Sequence, residues 1–332
     1  MTGLVDATCR WQPPRMPRHL DFTHPGLQEL LKREQNGVVS RQQLLELGAT
    51  DHDIARMVRR RELTAPCPGV YVDHTGRLTR AQREWVALFA CAPAALSHES
   101  AMPGGDPPVV HVCVGEDRTI RRMAGVVVHR TAHLATRVDW RRRPPRMGPE
   151  HATIDVMEAR IRSGDIAGAY AALTRACHTR EVTPRTLRPA LADRLKVTRR
   201  SLIGGMIDDV ELGAHSVLER GYLQLVERAH GLPRGKRQRT SHATGKRTDQ
   251  DVCYEEYGVI VEPDGLAFHD SPEARDVDAR RDLAERAVSE AVTVRVTYGL
   301  VFNDACRTAR WIATILQRRG WRGVFQRCPR CP

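Results

Sequence analysis

No apolar run in this chain is long enough to cross a bilayer. The longest, Val86 to Leu96, is interrupted by Pro93 and falls well short of the roughly 20 residues that a spanning helix needs. Nor is there a basic amphipathic helix with the wide apolar face that would hold a membrane surface. The N-terminus carries Arg10, Arg15 and Arg18 among Pro and Trp, without the continuous apolar core of a signal peptide. These absences predict a cytoplasmic protein with no membrane partner. A cysteine framework is missing too: nine cysteines, at 9, 67, 91, 113, 177, 253, 306, 328 and 331, are odd in number and unevenly spaced. In a chain of 332 residues that pattern predicts reduced thiols. Ser97, His98 and Ser100 lack a GxSxG elbow, which removes the α/β-hydrolase reading.

What the chain does have is positive charge. Fifty-two Lys and Arg against 40 Asp and Glu leave a formal charge of +12, and clustered basic charge favours polyanions through counterion release. Nucleic acid is the expected partner. The length predicts two or three domains, and 41% hydrophobic residues supply their cores.

Residues 1–23, rich in Pro and Arg, read as a disordered tail. Between 24 and 76 the pattern is helical: Leu27, Leu30 and Leu31 recur at helical spacing, Ser40 caps a second helix with Leu44, Leu45 and Leu47 facing inward, and Gly48 ends it. A third helix runs from Asp51 to about Arg61, with Ile54, Met57 and Val58 apolar and Arg56, Arg59, Arg60 and Arg61 basic. Two short strands follow, Leu63 to Cys67 and Pro68 to Val72. Helix, glycine turn, basic helix and two-stranded wing predict a winged helix-turn-helix, although a helix pair with a solvated arginine face fits the same residues. Arg56 and Arg60, four apart, face one side and are the candidate base readers. Residues 80–146 form an α+β middle region, with an apolar helix around Trp85 to Cys91 and strand-like runs at Val109 to Val114 and Val126 to Arg130. His98, His111 and His129 sit far apart without paired spacing and read as structural. A link, Arg141 to Arg146, leads to a helical connector at 151–200.

In order, the helix pair, Gly69-Val70-Tyr71, Ser97-His98-Glu99-Ser100-Ala101 and His129-Arg130 resemble the N-terminal region of AbiEi-type antitoxins of type IV toxin–antitoxin systems. The resemblance implies a DNA-binding winged helix and a cognate toxin protein as a candidate partner.

The acidic hairpin Asp251 to Gly265 carries the chemistry. A turn at Glu255 to Gly258 pairs residues whose numbers sum to 513, which sets Asp251 opposite Glu262. By strand alternation Asp251, Cys253, Ile260, Glu262 and Asp264 share one side. Val252, Tyr254, Val259 and Val261 share the other, which is expected to be the core side. Opposed like charges destabilise a strand pair at Cβ separations of about 4.5–5.5 Å. A divalent cation would remove that penalty, and Mg²⁺ is held by one or two carboxylates plus substrate phosphate. A solvated acidic edge is the alternative.

From about Ser216 the chain resembles the very-short-patch-repair-like branch of the PD-(D/E)XK nuclease superfamily, a branch described in actinobacteria as a domain of unknown function. The matching pieces are Ser216-Val-Leu-Glu219, His230-Gly-Leu-Pro233, the hairpin, His269-Asp270, Asp278-Ala-Arg-Arg281-Asp282, Thr293-Val-Arg295-Val and the final helix ending Arg319-Gly-Trp321. The resemblance implies an endonuclease-like α/β domain over 210–322, with Asp251, Glu262 and Glu219 as ligands for Mg²⁺ or Mn²⁺. Asp264 stands where many of these nucleases have Lys, so water activation falls to the metal, to Asp264 or to His269. Pro263 replaces the branch's usual Leu or Val and marks a strand end or a bulge.

Arg234, Lys236, Arg237, Arg239, Lys246 and Arg247 lie between the Glu219 helix and the hairpin. They are candidate phosphate contacts or a mobile solvated loop. Arg281 is a candidate for stabilising phosphorane charge or a partner of Asp278 or Asp282. In the 323–332 tail, Cys328-Pro-Arg-Cys331 is a lone CxxC; zinc there requires two more ligands brought by folding, such as Cys306 or a histidine, and otherwise the tail carries two free thiols. The expected fold is therefore a mixed α+β multidomain chain, an N-terminal winged helix-turn-helix followed by a C-terminal PD-(D/E)XK restriction-endonuclease-like α/β domain. Two functions remain: a Mg²⁺-dependent DNA endonuclease, or an antitoxin-like transcriptional regulator whose nuclease-like domain is inactive.

Overall fold

A computed structural model describes residues 19–212, 216–264 and 272–331. The protein is mixed α+β with several sheets, and it divides into two compact units, residues 1–96 with 108–146 and residues 97–107 with 147–332. The chain opens with α1 (Pro25–Glu29), which widens into a π turn over Leu30–Glu34, then β1 (Val38–Ser40), α2 (Arg41–Glu46), α3 (Asp51–Arg59), β2 (Thr64–Cys67) and β3 (Val70–Val72). Reciprocal side-chain caps start the second and third helices: Ser40 with Gln43, and Thr50 with Asp53. Arg61 adopts φ 58°, a left-handed turn that ends α3 at Arg59 rather than near Arg61. The apolar faces converge on Leu20, Leu27, Leu31, Leu44, Ile54, Met57 and Leu63, beside an antiparallel sheet ordered β1-β3-β2.

Next come α4 (Arg80–Cys91), β4 (Ala95–Leu96), α5 (His98–Ala101, in the second unit), β5 (Val110–Gly115), β6 (Val126–Thr131), α6 (Leu134–Arg137), β7 (Val138–Asp139) and β8 (Arg146–Met147). Their strands form a sheet ordered β6-β5-β4-β8-β7. One expectation from the sequence fails here. His111 and His129 are not apart: β5 and β6 pair in parallel with His111 opposite Val127, so His129, two residues on, lies on the same face. The two rings stack at 5.3 Å, with Nδ1 of His111 3.0 Å from Nε2 of His129.

The second unit continues with the helices α7 (Pro149–Arg162), α8 (Ile166–His178), α9 (Pro184–Ala192) and α10 (Arg200–Leu212). Then α11 (Ser216–Gly221) runs through a π turn, Tyr222–Glu227, into a 3₁₀ turn, Arg228–His230. Three strands follow, β9 (Lys236–Ser241), β10 (Thr248–Tyr254) and β11 (Val259–Pro263), then α12 (Pro272–Ser289), β12 (Val292–Val296), a π turn at Gly299–Asn303 and α13 (Ala305–Arg318). The sheet order is β12-β11-β10-β9. Its hairpins are antiparallel, and β12, reached through the α12 crossover, is parallel to β11.

The hairpin register is the expected one: Val252 pairs with Val261, Cys253 with Ile260 and Tyr254 with Val259. The expectation of a single core face is corrected. Val252 and Val261 are buried, but so are Cys253 and Ile260, which cluster with Ala291 just after α12. A parallel crossover lays its helix on one face of the sheet while Tyr222 and Glu227 of the π turn after α11 meet Tyr254 on the other, and strands covered on both sides are apolar on both sides. Pro263 ends β11. The ladder to β10 stops at Val261, so the missing N–H removes no bond on that side, and on the other side the Asp264 N–H continues pairing to Val296 O at 2.8 Å.

Candidate metal and nucleic-acid site

Asp251 sits one step beyond the last hairpin pair, so the same register puts it between Glu262 on β11 and Gln238 on β9, whose side-chain amide donates to Asp251 Oδ1 at 3.4 Å. Glu219, on the short helix α11, is the third acid, linked to Asp251 by charge. Burial pushes the Glu219 carboxyl above its ordinary range, and the charges of Asp251 and Asp209 push it further against the pull of Arg237 and Arg220. Glu262, with 14% of its side chain exposed, is likewise raised by burial. Arg281 and Arg295 oppose that shift, while Asp282 and Asp251 add to it. Asp251 thus acts electrostatically on both glutamates. Two carboxyls raised in this way, Glu219 and Glu262, are the kind of charge arrangement that a hard divalent cation relieves.

The site also contains arginines. Arg295 lies opposite Glu262 in the β11–β12 register and stands among four carboxylates: Asp282 at 3.1 Å, Asp278 at 3.3 Å, Asp264 at 3.7 Å and Glu262 at 3.8 Å. Arg281 approaches Glu262 at 3.6 Å and donates to Asp249 O at 3.1 Å. Asp278 and Asp282, the expected ion-pair partners of Arg281, are instead paired with Arg295. The contacts to Glu262 and Asp264 are longer than hydrogen bonds, so they neutralise charge without occupying a lone pair. Sequence reasoning missed Arg295, although a lone cation in an otherwise apolar or β-branched strand was a usable signal. His269 lies outside the described residues.

A buried polar network beneath the sheet also escaped the sequence. Tyr254 Oη donates to Glu227 Oε2 at 3.0 Å, so the hydroxyl of Tyr222, 2.9 Å away, donates to Tyr254. Glu227, 2% exposed, further accepts from Arg237 at 3.0 Å and from the Gly235 N–H at 3.3 Å. Tyr222 and Glu227 are five residues apart, and the wider π turn brings such residues closer to one helix face than an α turn would. That local geometry is not legible from an apolar helical pattern.

The basic candidates divide sharply. Lys236, Arg237 and Arg239 are on β9, an edge strand, rather than in a loop, whereas Arg234 lies in the irregular stretch before it. Arg237 is held by Glu227, while Lys236 and Arg239 both pair with Glu255, the latter at 3.0 Å. Arg247 stays within 3.8 Å of Asp249 but is largely exposed, and Arg234 and Lys246 are exposed. In the first unit, Arg56 turns inward to Asp53 at 2.7 Å and to Leu20 O at 2.7 Å. Arg59, Arg60 and Arg61 are exposed. Helical spacing puts Arg56 and Arg60 on one side, but the guanidinium of Arg56 is committed to the fold.

Among the described residues no helix is long and apolar enough to cross a membrane. No family model matches the chain, and no curated protein does. Among solved structures it is similar to the crystal structure of the RV2827C protein from Mycobacterium tuberculosis, with 17% identity, a TM-score of 0.31, and coverage of 57% of this chain and 80% of that one. The carboxylates and arginines described above carry the functional reading by themselves.

Proposed function

We propose that the chain is a DNA-binding protein whose second unit hydrolyses phosphodiester bonds with Mg²⁺ or Mn²⁺. The first unit is read as a winged helix, with α3 presenting Arg59, Arg60 and Arg61 to DNA and β2–β3 as its wing. The second is read as a PD-(D/E)XK-type nuclease domain. One observation carries that reading: the hairpin register sets Asp251 opposite Glu262 on adjacent antiparallel strands, and burial with the charge of Asp251 raises the carboxyls of Glu262 and of Glu219 on α11. They sit in a helix–three-strand–helix–strand order whose last strand is parallel.

In this mechanism Glu219, Asp251 and Glu262 would hold the cation, which when bound would supply a more acidic water and charge neutralisation at the scissile phosphate. Asp264, which faces Arg295 at 3.7 Å, is the carboxylate assigned to accept the proton of the attacking water. Arg281, without a lysine at position 264, is the cation placed to meet charge developing on phosphorus. Arg234, Lys246 and Arg247 hold the backbone without reading sequence.

A second reading is favoured by Arg295. With its guanidinium among Glu262, Asp264, Asp278 and Asp282, the acids already have a counter-charge, and the domain then serves a DNA-binding regulator of antitoxin type, partnered by a toxin protein. Cleavage of plasmid, mismatched and single-stranded DNA by wild-type protein and Asp251→Ala, in Mg²⁺, Mn²⁺ or EDTA, separates the two. The nuclease reading expects metal-dependent cutting that falls by roughly 10²–10³-fold or more in the variant. DNA binding without cutting by either protein assigns the regulator.

A further inference from the structure

The C-terminal CxxC does not stand alone. Cys306 at the start of α13, Cys328 and Cys331 in the tail, and His230 at the end of the α11 turns bring one ligand atom each to within 4.8 Å of all the others. Cys306 Sγ lies 3.5 Å from Cys328 Sγ, Cys331 Sγ 3.8 Å from Cys328 Sγ, and Cys331 Sγ 3.5 Å from His230 Nε2. Tetrahedral zinc, with bonds of about 2.3 Å to sulfur and 2.0–2.1 Å to nitrogen, separates its ligand atoms by about 3.5–3.8 Å. The observed spacings fit one ion at their centre and leave no room for a polynuclear cluster.

The surroundings are built for the same arrangement. His230 is fully buried, and its Nδ1–H donates to Val226 O at 3.1 Å. That bond fixes the tautomer with a bare Nε2 aimed at the thiols, the orientation that metal-bound histidines receive from a second hydrogen bond. The Cys331 N–H donates to Cys328 O at 3.0 Å, closing a tight turn that points both sulfurs to one side. The tail before it has no regular secondary structure from 321 to 328, yet it is laid against this corner. Phe325 stacks on the His230 ring at 5.2 Å, Arg310 covers Phe325 at 5.6 Å, and the Gln326 N–H donates to His230 O at 3.0 Å. Gly231, at φ +64°, admits the Gln326 side chain, whose Cδ lies 2.7 Å from where a Cβ would be.

We infer that His230, Cys306, Cys328 and Cys331 form a structural zinc site that fastens the C-terminal tail to the end of α11 and the start of α13. Three thiolates and one imidazole are a soft tetrahedral donor set, and four protein ligands leave no open position for substrate, so the ion's role is to cross-link three separate segments. The site shares no residue with the carboxylate group of β10 and β11 and stands or falls independently of any cleavage activity.

The test is metal analysis of untagged protein purified under reducing conditions. Wild type should carry one zinc per chain, and the zinc-free protein should take up Co²⁺ with thiolate charge-transfer and tetrahedral ligand-field bands. Cys306→Ser and Cys331→Ser should each lose most of the zinc and the cobalt spectrum, while Cys177→Ser, elsewhere on α8, keeps both. Because a ligand variant can fail to fold, wild type alone also decides. A chelator should lower its melting temperature, and added zinc should restore it. A zinc-free wild type that gives no cobalt spectrum overturns the site, as does full zinc retention in both ligand variants or a Cys328–Cys331 disulfide as the stable form.

Discussion

Two basic runs that look alike in sequence meet opposite fates. Arg59, Arg60 and Arg61 at the end of α3 are exposed, whereas on β9 Lys236 and Arg239 are drawn to Glu255 and Arg237 to the buried Glu227. The difference lies in what folding brings opposite them. The acids of α3 are committed elsewhere: the Asp53 carboxylate accepts from Thr50 and Arg56, and Asp51 pairs with Arg41 at 2.6 Å. On β9, the neighbouring strand ends in an acidic 3₁₀ turn at Glu255–Tyr257. A formal charge of +12 therefore overstates what the second unit offers to a polyanion and describes the end of α3 well.

The largest effect that would sharpen this contrast is at Glu227. Its removal leaves Arg237, the Tyr254 hydroxyl and the Gly235 N–H without their acceptor, and breaking a buried pair by deleting one partner costs about 3–5 kcal/mol. Glu227→Ala should lower the unfolding free energy read from denaturant titration by that much. A loss under about 1 kcal/mol would mean that Arg237 is not structurally held and is available to ligand after all.

Next is DNA affinity. If the three exposed arginines contact phosphate, replacing all three by Ala should reduce the slope of log K against log salt by about 3 and weaken binding by about 10²-fold at physiological salt. The matched change on β9, Lys236→Ala with Arg239→Ala, should leave the slope nearly unchanged. Equal losses from both would erase the distinction between the runs.

Arg56 tests the same idea within one helix. Its guanidinium bonds Asp53 on the same helix and Leu20 O outside it, charge-assisted bonds worth about 1.5–3 kcal/mol. Arg56→Ala should destabilise the protein by that order while keeping the relative affinities for different DNA sequences. Altered base preference without destabilisation would restore Arg56 as a base reader.

These residues also show how far the sequence could be read. The hairpin register was legible because a turn between alternating strands fixes which numbers oppose, and Val252 with Val261 follows that sum. Strand alternation alone could not say that Cys253 and Ile260 would be covered as well, since that depends on where a distant helix lands. Arg56 failed as a free groove residue for a similar reason: helical spacing fixes its side, but Leu20, thirty-six residues earlier, supplies the carbonyl that captures it. The pairing of His111 with His129 depended on two strands aligning in parallel, which no local spacing records. Two acids of the candidate site were readable from β-strand geometry. Arg295, opposite Glu262, needed the fourth strand's register.

The smallest expected effect concerns the acids that the two regions do not share. Glu219 and Glu262 are both raised above the ordinary glutamate value of 4.5, so the folded protein holds their protons more tightly than the unfolded chain. Stability from these groups is then fully present below about pH 4.5 and is lost as pH rises through their raised folded values. At neutral pH both oppose folding in the metal-free protein. Glu219→Gln should therefore raise the metal-free melting temperature at pH 7, by about 2–4 °C for each kcal/mol relieved, and flatten its decline between pH 4.5 and 7. Mg²⁺ binds the deprotonated acids, so it should stabilise wild type increasingly as pH rises and stabilise Glu219→Gln much less. A variant that melts lower than wild type at pH 7, or that gains as much from Mg²⁺, would mean that Glu219 stands outside the metal-binding group. Asp251 and Glu262 would then remain a two-acid edge like Glu255 and Glu256, with arginines as its natural partners.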